Sequence, residues 1–242
     1  MAKGTIHIGT SGWHYHHWKK VFYPDSLKSS ERLSFYAQSF STVELNNPFY
    51  RIPAASMFDT WKKTAPAGFL FAVKVNRWIT HMKKLSGVAT ATKDFVLRAE
   101  RLSNKLGPLL FQLPPSWKLN AQRLDEFTAA LPRGHRYVFD FRNPTWYNDA
   151  VYDILHRHNC AFCIYELAGH QSPIVITADF VYLRLHGPGD KYQGSYSESK
   201  LADWAKNCKK WQREGKDVFC YFDNDQRAYA VSDAGQLKAL MD

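Results

Sequence analysis

Eight short apolar runs, each ending in polar or charged residues, constrain this chain more than any other feature. They cover residues 5–9, 42–46, 69–74, 109–113, 137–141, 161–165, 181–186 and 218–223, and most are followed by a helix-like stretch. Strands that alternate with helices specify a parallel sheet, because a parallel pair needs a long return crossover and a helix supplies it. Eight such units in 242 residues predict an α/β fold, a single (β/α)8 TIM-like barrel occupying residues 1–242 as one domain. In that fold the carboxyl ends of the strands form the active face. The polar endings of the runs are therefore where function is to be sought.

Helical segments fill the gaps. They are expected over 29–40, 54–63, 92–105, 120–131, 149–157, 197–214 and 233–241, with Pro66 and the Gly107-Pro108 pair as stop signals. The sixth crossover, 167–179, is short and contains Pro173, which argues against a full helix there. Within the runs one phase is wholly apolar and the other mixed: Glu44 and Asn46 alternate with Val43 and Leu45, and Arg184 and His186 with Leu183 and Leu185. Successive side chains of a strand point to opposite faces. The apolar phase must meet the helices, so the mixed phase lines the barrel axis and brings Glu44, Lys74, Gln112, Asp140, Arg142, Arg184 and His186 to the upper lumen. Charges placed there must be paired or ligand-bound, since an isolated buried charge is too costly to keep.

Composition bounds the function classes. The formal charge of +10 favours anionic partners, a phosphorylated metabolite or nucleic acid, although many lysines fall on expected helix surfaces. No stretch approaches the roughly 18 uninterrupted apolar residues of a membrane span, no signal peptide is evident, and four cysteines make no disulfide framework in a chain this long. The expectation is a cytoplasmic protein with reduced thiols and no membrane partner. The Cys160-x-x-Cys163 spacing puts its two thiols on opposite strand faces, which reads as packing.

Three segments could carry chemistry. The first strand runs into Gly9-Thr10-Ser11-Gly12-Trp13-His14-Tyr15, a glycine-punctuated aromatic stretch that could wall a pocket through Trp13 and Tyr15. Its histidines lack an H-E-x-x-H spacing, and Ser11 lacks a nucleophile-elbow motif. The stretch from Arg184 through Gly187 and Tyr192 to Tyr196 has three glycines beside an arginine and a histidine, which suits close approach to an oxyanion in the loops where barrels often hold phosphate. Glu44, Asp140 and Glu166 could act as bases or ligate a hard cation, with His81 and His186 as proton carriers or further ligands. A structural arrangement pairing Glu44 with Lys74, and Asp140 with Arg142 or Arg184, would also satisfy them. Neither a cofactor nor a metal can be named from these residues.

Over nearly its whole length the chain also resembles a known family. Gly9-Thr10-Ser11-Gly12-Trp13, Val43-Glu44-Leu45-Asn46, Thr80-His81, Phe111-Gln112-Leu113-Pro114-Pro115, Phe141-Arg142 with Trp146, Arg184-Leu185-His186-Gly187 and Tyr221-Phe222-Asp223-Asn224-Asp225 look like the YecE-like family, catalogued as domain of unknown function seventy-two. The resemblance implies a TIM-barrel-like fold and supplies no reaction. Two positions depart from the family's pattern: Asp140 stands where a glutamate is usual, and Asp223 where an amide is.

Taken together, these readings favour an enzyme acting on a phosphorylated or other anionic small molecule by general acid–base or metal-assisted chemistry. Lys74, Arg142 and Arg184 would hold the anion, Glu44 or Asp140 would serve as base, His81 or His186 would move protons, and Trp13, Tyr15, Asn46, Gln112, Gly187, Tyr192 and Asn224 would line the site. The alternatives are glycoside hydrolysis, with paired carboxylates flanked by Trp13, Trp18, Trp78 and Trp146, and nucleic-acid binding through a basic face. Oligomeric state is not legible.

Overall fold

The computed structural model describes residues 2–241. Eight parallel strands form its frame: β1 (Ile6–Thr10), β2 (Thr42–Leu45), β3 (Leu70–Lys74), β4 (Leu106–Leu113), β5 (Tyr137–Phe141), β6 (Cys160–Leu167), β8 (Phe180–Leu185) and β9 (Asp217–Phe222), with the two-residue β7 (His170–Gln171) pairing antiparallel to the end of β6. Their order, β1-β9-β8-β6-β5-β4-β3-β2, is that of a nearly closed barrel. Helices α1 (Arg32–Ser39), α3 (Ala55–Thr64), α4 (Ala89–Ala99), α5 (Ala121–Ala129), α6 (Asp149–Arg157), α7 (Glu198–Arg213) and α8 (Tyr229–Ala239) surround it, and the short α2 (Asn47–Tyr50) caps β2. This is the (β/α)8 TIM-like architecture expected. Among the described residues no helix is long and apolar enough to cross a membrane.

The seam between β1 and β2 closes by a different device from the other strand pairs. The Thr10 N–H donates to the Tyr36 hydroxyl at 2.9 Å, and that hydroxyl donates to the Thr42 carbonyl at 3.0 Å, so a side chain from α1 takes the place of a direct ladder bond. Gly9 permits the approach, since a Cβ there would lie 2.2 Å from the Thr42 carbonyl oxygen. Above Tyr36 the Gly12 N–H reaches the Glu44 carbonyl directly at 2.9 Å.

Strand alternation sorts the interior into two cores. Val43, Leu45, Phe71, Val73, Phe111, Phe139, Leu183 and Leu185 pack outward against the helices, whereas Ala72, Leu110, Val138, Ala161, Tyr182, Phe219 and Tyr221 fill the lumen. Cys160 belongs to the outer core and Cys163 to the inner, and all four cysteines are buried free thiols.

Element ends differ from the expected ones where backbone geometry intervenes. The helix expected over 92–105 begins earlier and ends at Ala99; a tighter turn follows in which Ser103 adopts φ 56°, and β4 then opens at Leu106, ahead of Gly107-Pro108. The last helix starts at Tyr229 rather than 233, immediately after Ala228 at φ 59°. The sixth crossover holds no helix. Its Ser172 and Thr177 hydroxyls instead accept the Tyr165 and Phe162 N–H groups at 2.9 and 2.8 Å, satisfying β6 from the side.

Candidate functional site at the barrel mouth

Above the apolar lumen lies a layer of charge. β2 delivers Glu44, β3 Lys74, β4 Gln112, β5 Asp140 and β8 Arg184, while Arg142, His186 and Asp223 follow just beyond β5, β8 and β9. These side chains converge, as the alternation requires.

Arg184, only 1% exposed, organises the layer. Its Nε and Nη2 donate to the two oxygens of Glu44 at 3.0 and 2.8 Å, Nη1 faces Asp140 at 3.1 Å and Gln112 at 3.3 Å, and Nη2 also meets Asp223 at 3.3 Å. A guanidinium has five N–H donors, and every nitrogen here is engaged within the protein. Of the structural pairings the sequence left open, Asp140 with Arg142 and Arg184 forms, but Glu44 with Lys74 does not. Glu44 is taken instead by Arg184, with Tyr182 at 2.7 Å and Ser11 at 2.8 Å donating their hydroxyls. Burial alone would raise the Glu44 carboxyl, but Arg184 and Lys74 more than offset it and hold its pKa below the ordinary value. Asp140 follows the same logic against Arg142 and Arg184. Arg142 grips Asp140 with a two-pronged contact, Nε and Nη2 each 2.6 Å from a carboxylate oxygen, and lies 4.1 Å over the Tyr165 ring.

His186 is wholly buried, and its Nε2 faces Arg142 Nη2 at 2.6 Å and Arg184 Nη1 at 3.2 Å. Guanidinium groups only donate, so Nε2 must accept and the ring proton sits on Nδ1. Burial, reinforced by Arg142, Arg184 and Lys74, pushes the imidazole well below its usual pKa and keeps it neutral. Nδ1 has no hydrogen-bond partner; Asp223 stands 3.9 Å from it. Asp223 itself is raised to about 6 by burial, against the pull of Arg184.

Lys74, at the end of β3, lies close enough to Arg184, Glu44, Asp223 and Asp140 to feel their charges. It forms no ion pair within 4.0 Å among the described residues, and its Nζ sits 4.3 Å over the Phe49 ring. Asn76 holds Phe49 in place by donating to the Pro48 and Phe49 carbonyls at 2.8 and 3.2 Å. Burial, then Arg184, lowers Lys74 to about 8. His81, on a wide turn at Trp78–Met82 closed by the Lys83 N–H to the Trp78 carbonyl, meets the same Phe49 edge-on at 5.0 Å. Its pKa is lowered by burial and by Lys74. Asn46 is nearby in sequence, with a buried Oδ1 lacking a partner.

The remaining expected residues make no side-chain hydrogen bond to the Arg184 layer. Tyr192 stacks on His186 with ring centres 5.6 Å apart. The Tyr15 hydroxyl donates to the Ser11 carbonyl, and Trp13 packs edge-on against Trp61 at 5.9 Å. The Gly187 N–H is occupied by the Tyr196 hydroxyl at 3.0 Å, and Asn224 donates to Gly194 and Asp233, so both brace the 187–194 loop. Glu166 pairs with Lys200 at 2.5 Å, outside the Arg184 network. Sequence reasoning missed Tyr182, Phe49 and Tyr165. Tyr182 carried a signal, sharing the lumen phase two residues before Arg184; Phe49 and Tyr165 offered no polar cue.

The arrangement bears on the alternatives. Trp18 and Trp146 are completely buried in the outer core, so they cannot cradle a sugar at the mouth, and the paired carboxylates Glu44 and Asp140 are both neutralised by arginine. Among the described residues no group of three or more His, Cys, Asp and Glu is placed to hold a metal ion.

Known proteins resemble this chain along nearly its full length. Residues 7–242 match the profile of a family described as protein of unknown function DUF72. The UPF0759 protein YunF of Bacillus subtilis is 26% identical, with 98% of this chain and 95% of that protein covered. A crystal structure of a DUF72 family protein from Thermotoga maritima superposes with a TM-score of 0.89 at 26% identity, covering 98% of this chain and 99% of that one. Another from Enterococcus faecalis gives 0.84 at 18% identity over 98% and 95% of the chains, a likeness of fold alone.

Proposed function

This chain belongs to the DUF72 family, whose function is unknown, and we propose that it is an enzyme that takes a small anionic molecule at its barrel mouth and acts on it by general acid–base chemistry. One observation carries the reading. Within a layer of buried and largely paired charges, His186 Nδ1 is left with no hydrogen-bond partner, while Lys74 Nζ makes no ion pair and lies over the Phe49 ring. Buried polar groups in proteins are nearly always paired, and exceptions cluster at functional sites.

The roles follow from which atoms are free. Arg184 is the organiser, because a group with every nitrogen engaged has little left to offer a ligand. Lys74 and the unengaged Nη1 of Arg142 supply positive charge to the anion, and the neutral His186 donates from Nδ1 to an oxygen that gains charge as the reaction proceeds. His81, half-buried beside Lys74, exchanges protons with solvent. Glu44 and Asp140, each held as a carboxylate by arginine, set the field around Lys74 and His186.

Inorganic phosphate and pyruvate test the reading by thermal shift. A ligand that binds only the folded state stabilises it by RT ln(1 + [L]/Kd), about 2.7 kcal/mol at a hundredfold excess over Kd. The wild type should respond to at least one of the two anions and Lys74→Met should not. Equal responses from both proteins would place the anion elsewhere.

A further inference from the structure

We propose that Lys74 is a covalent nucleophile that condenses with an aldehyde or ketone substrate to form a protonated Schiff base at the barrel mouth. The proposal rests on the reading of the mouth as an active site and names the substrate class that site would take.

Geometry supplies the argument. Lys74 ends β3 at the carboxyl face, where barrel enzymes place their reacting groups, and at 8% exposure it is largely shielded from bulk water. No carboxylate within 4.0 Å anchors its ammonium, and its Nζ faces the apolar ring of Phe49. Of the charged groups that act on it, Arg184 opposes its protonation while Glu44, Asp223 and Asp140 favour it; burial is the largest influence, and the net effect is a lowered pKa. An amine activated by desolvation next to another cation is the arrangement by which a lysine becomes nucleophilic at neutral pH. Lowered to about 8, it carries a neutral fraction at pH 7 roughly a few hundredfold above that of an ordinary lysine.

The chemistry balances without any added oxidant or metal. The nitrogen lone pair adds to the carbonyl carbon, and the π pair moves to oxygen, which takes up a proton as nitrogen releases one. The carbinolamine hydroxyl is then protonated and leaves as water, and the C=N bond forms as an iminium cation. In this proposal the unpartnered His186 Nδ1–H and Arg142 would donate to the carbonyl oxygen, and His81, edge-on to Phe49, would relay the protons to and from solvent. The iminium replaces an ammonium, so the charge balance against Glu44, Asp140 and Asp223 is kept.

Reductive trapping on the wild-type protein tests this. The protein is treated with cyanoborohydride and either glyoxylate, an anionic aldehyde, or propanal, an uncharged one, over pH 6–9, and alkylated lysines are located by peptide mass spectrometry. Lys74 should be alkylated by glyoxylate at least tenfold faster than any exposed lysine at pH 7, and more slowly by propanal. Equal, selective labelling of Lys74 by both probes would uphold the Schiff base and remove the preference for anions. Suppression of labelling by unfolding the protein in urea would tie the reactivity to the folded mouth. Label confined to exposed lysines, with Lys74 unmodified under both probes, would overturn the proposal even if anions still raise the melting temperature.

Discussion

Burial disfavours the charges of Lys74 and Asp223, and each leaves a signature in the pH dependence of folding. Lys74 sits at about 8 in the folded protein and near its ordinary value, about 10.4, once unfolded. Between those values the unfolded chain binds the extra proton, so stability rises with pH from 8 to 10.5; below pH 8 the folded state bears a penalty of about 3 kcal/mol. Lys74→Met should therefore match or exceed wild-type stability at pH 7 and lose that advantage by pH 10, as read by urea unfolding at both values. Asp223 behaves in the opposite sense. At about 6 when folded against about 3.9 unfolded, it binds its proton more tightly in the native state, so its contribution declines as pH rises from 4 to 6. Asp223→Asn should be more stable than wild type at pH 7.5, by up to about 3 kcal/mol, and equal to it near pH 4. A variant less stable at every pH would mean that the Asp223 contact with Arg184 outweighs the cost of its burial.

At the scale of elements, the β1–β2 seam depends on one hydroxyl. Tyr36→Phe would leave the Thr10 N–H and the Thr42 carbonyl facing each other without a bridge in a fully buried place, and should cost about 1–3 kcal/mol, measured as a lowered denaturant midpoint at unchanged slope. Nothing in the sequence marks Tyr36 for this role, because the groups it bridges are backbone atoms on two strands far apart in sequence. The strands were legible for the converse reason: the period-two alternation of Val43, Leu45, Phe71 and Val73 against Glu44, Ala72 and Lys74 is a local property that fixes which face is buried. Helix ends were less legible. Ser103 and Ala228 enter the left-handed region without a glycine to announce it, and α2 is too short at four residues for periodicity to register.

For the molecule as a whole, alternation was enough to place Glu44, Lys74, Asp140, Arg142, Arg184 and His186 in one layer, but not to say who pairs with whom. Cross-barrel pairing depends on distances between strands far apart in sequence, such as Glu44 and Arg184. Reading Glu44 with Lys74 took the residues on adjacent strands; the guanidinium from across the lumen, with five donors in a fixed fork, satisfies more of the buried lone pairs. Arg184→Met should leave Glu44 and Asp140 buried without their main partner and destabilise the barrel by about 3–5 kcal/mol, read by chemical denaturation, whereas Lys74→Met should not. On the proposed reading anions should bind at the mouth rather than on the lysine-rich helix surfaces. The most direct test is a crystal structure grown with millimolar pyruvate. Density is expected at the mouth within hydrogen-bonding or covalent reach of Lys74 Nζ, with an oxygen near His186 Nδ1. A mouth holding water alone, with pyruvate bound only among exposed lysines, would contradict the proposed reading.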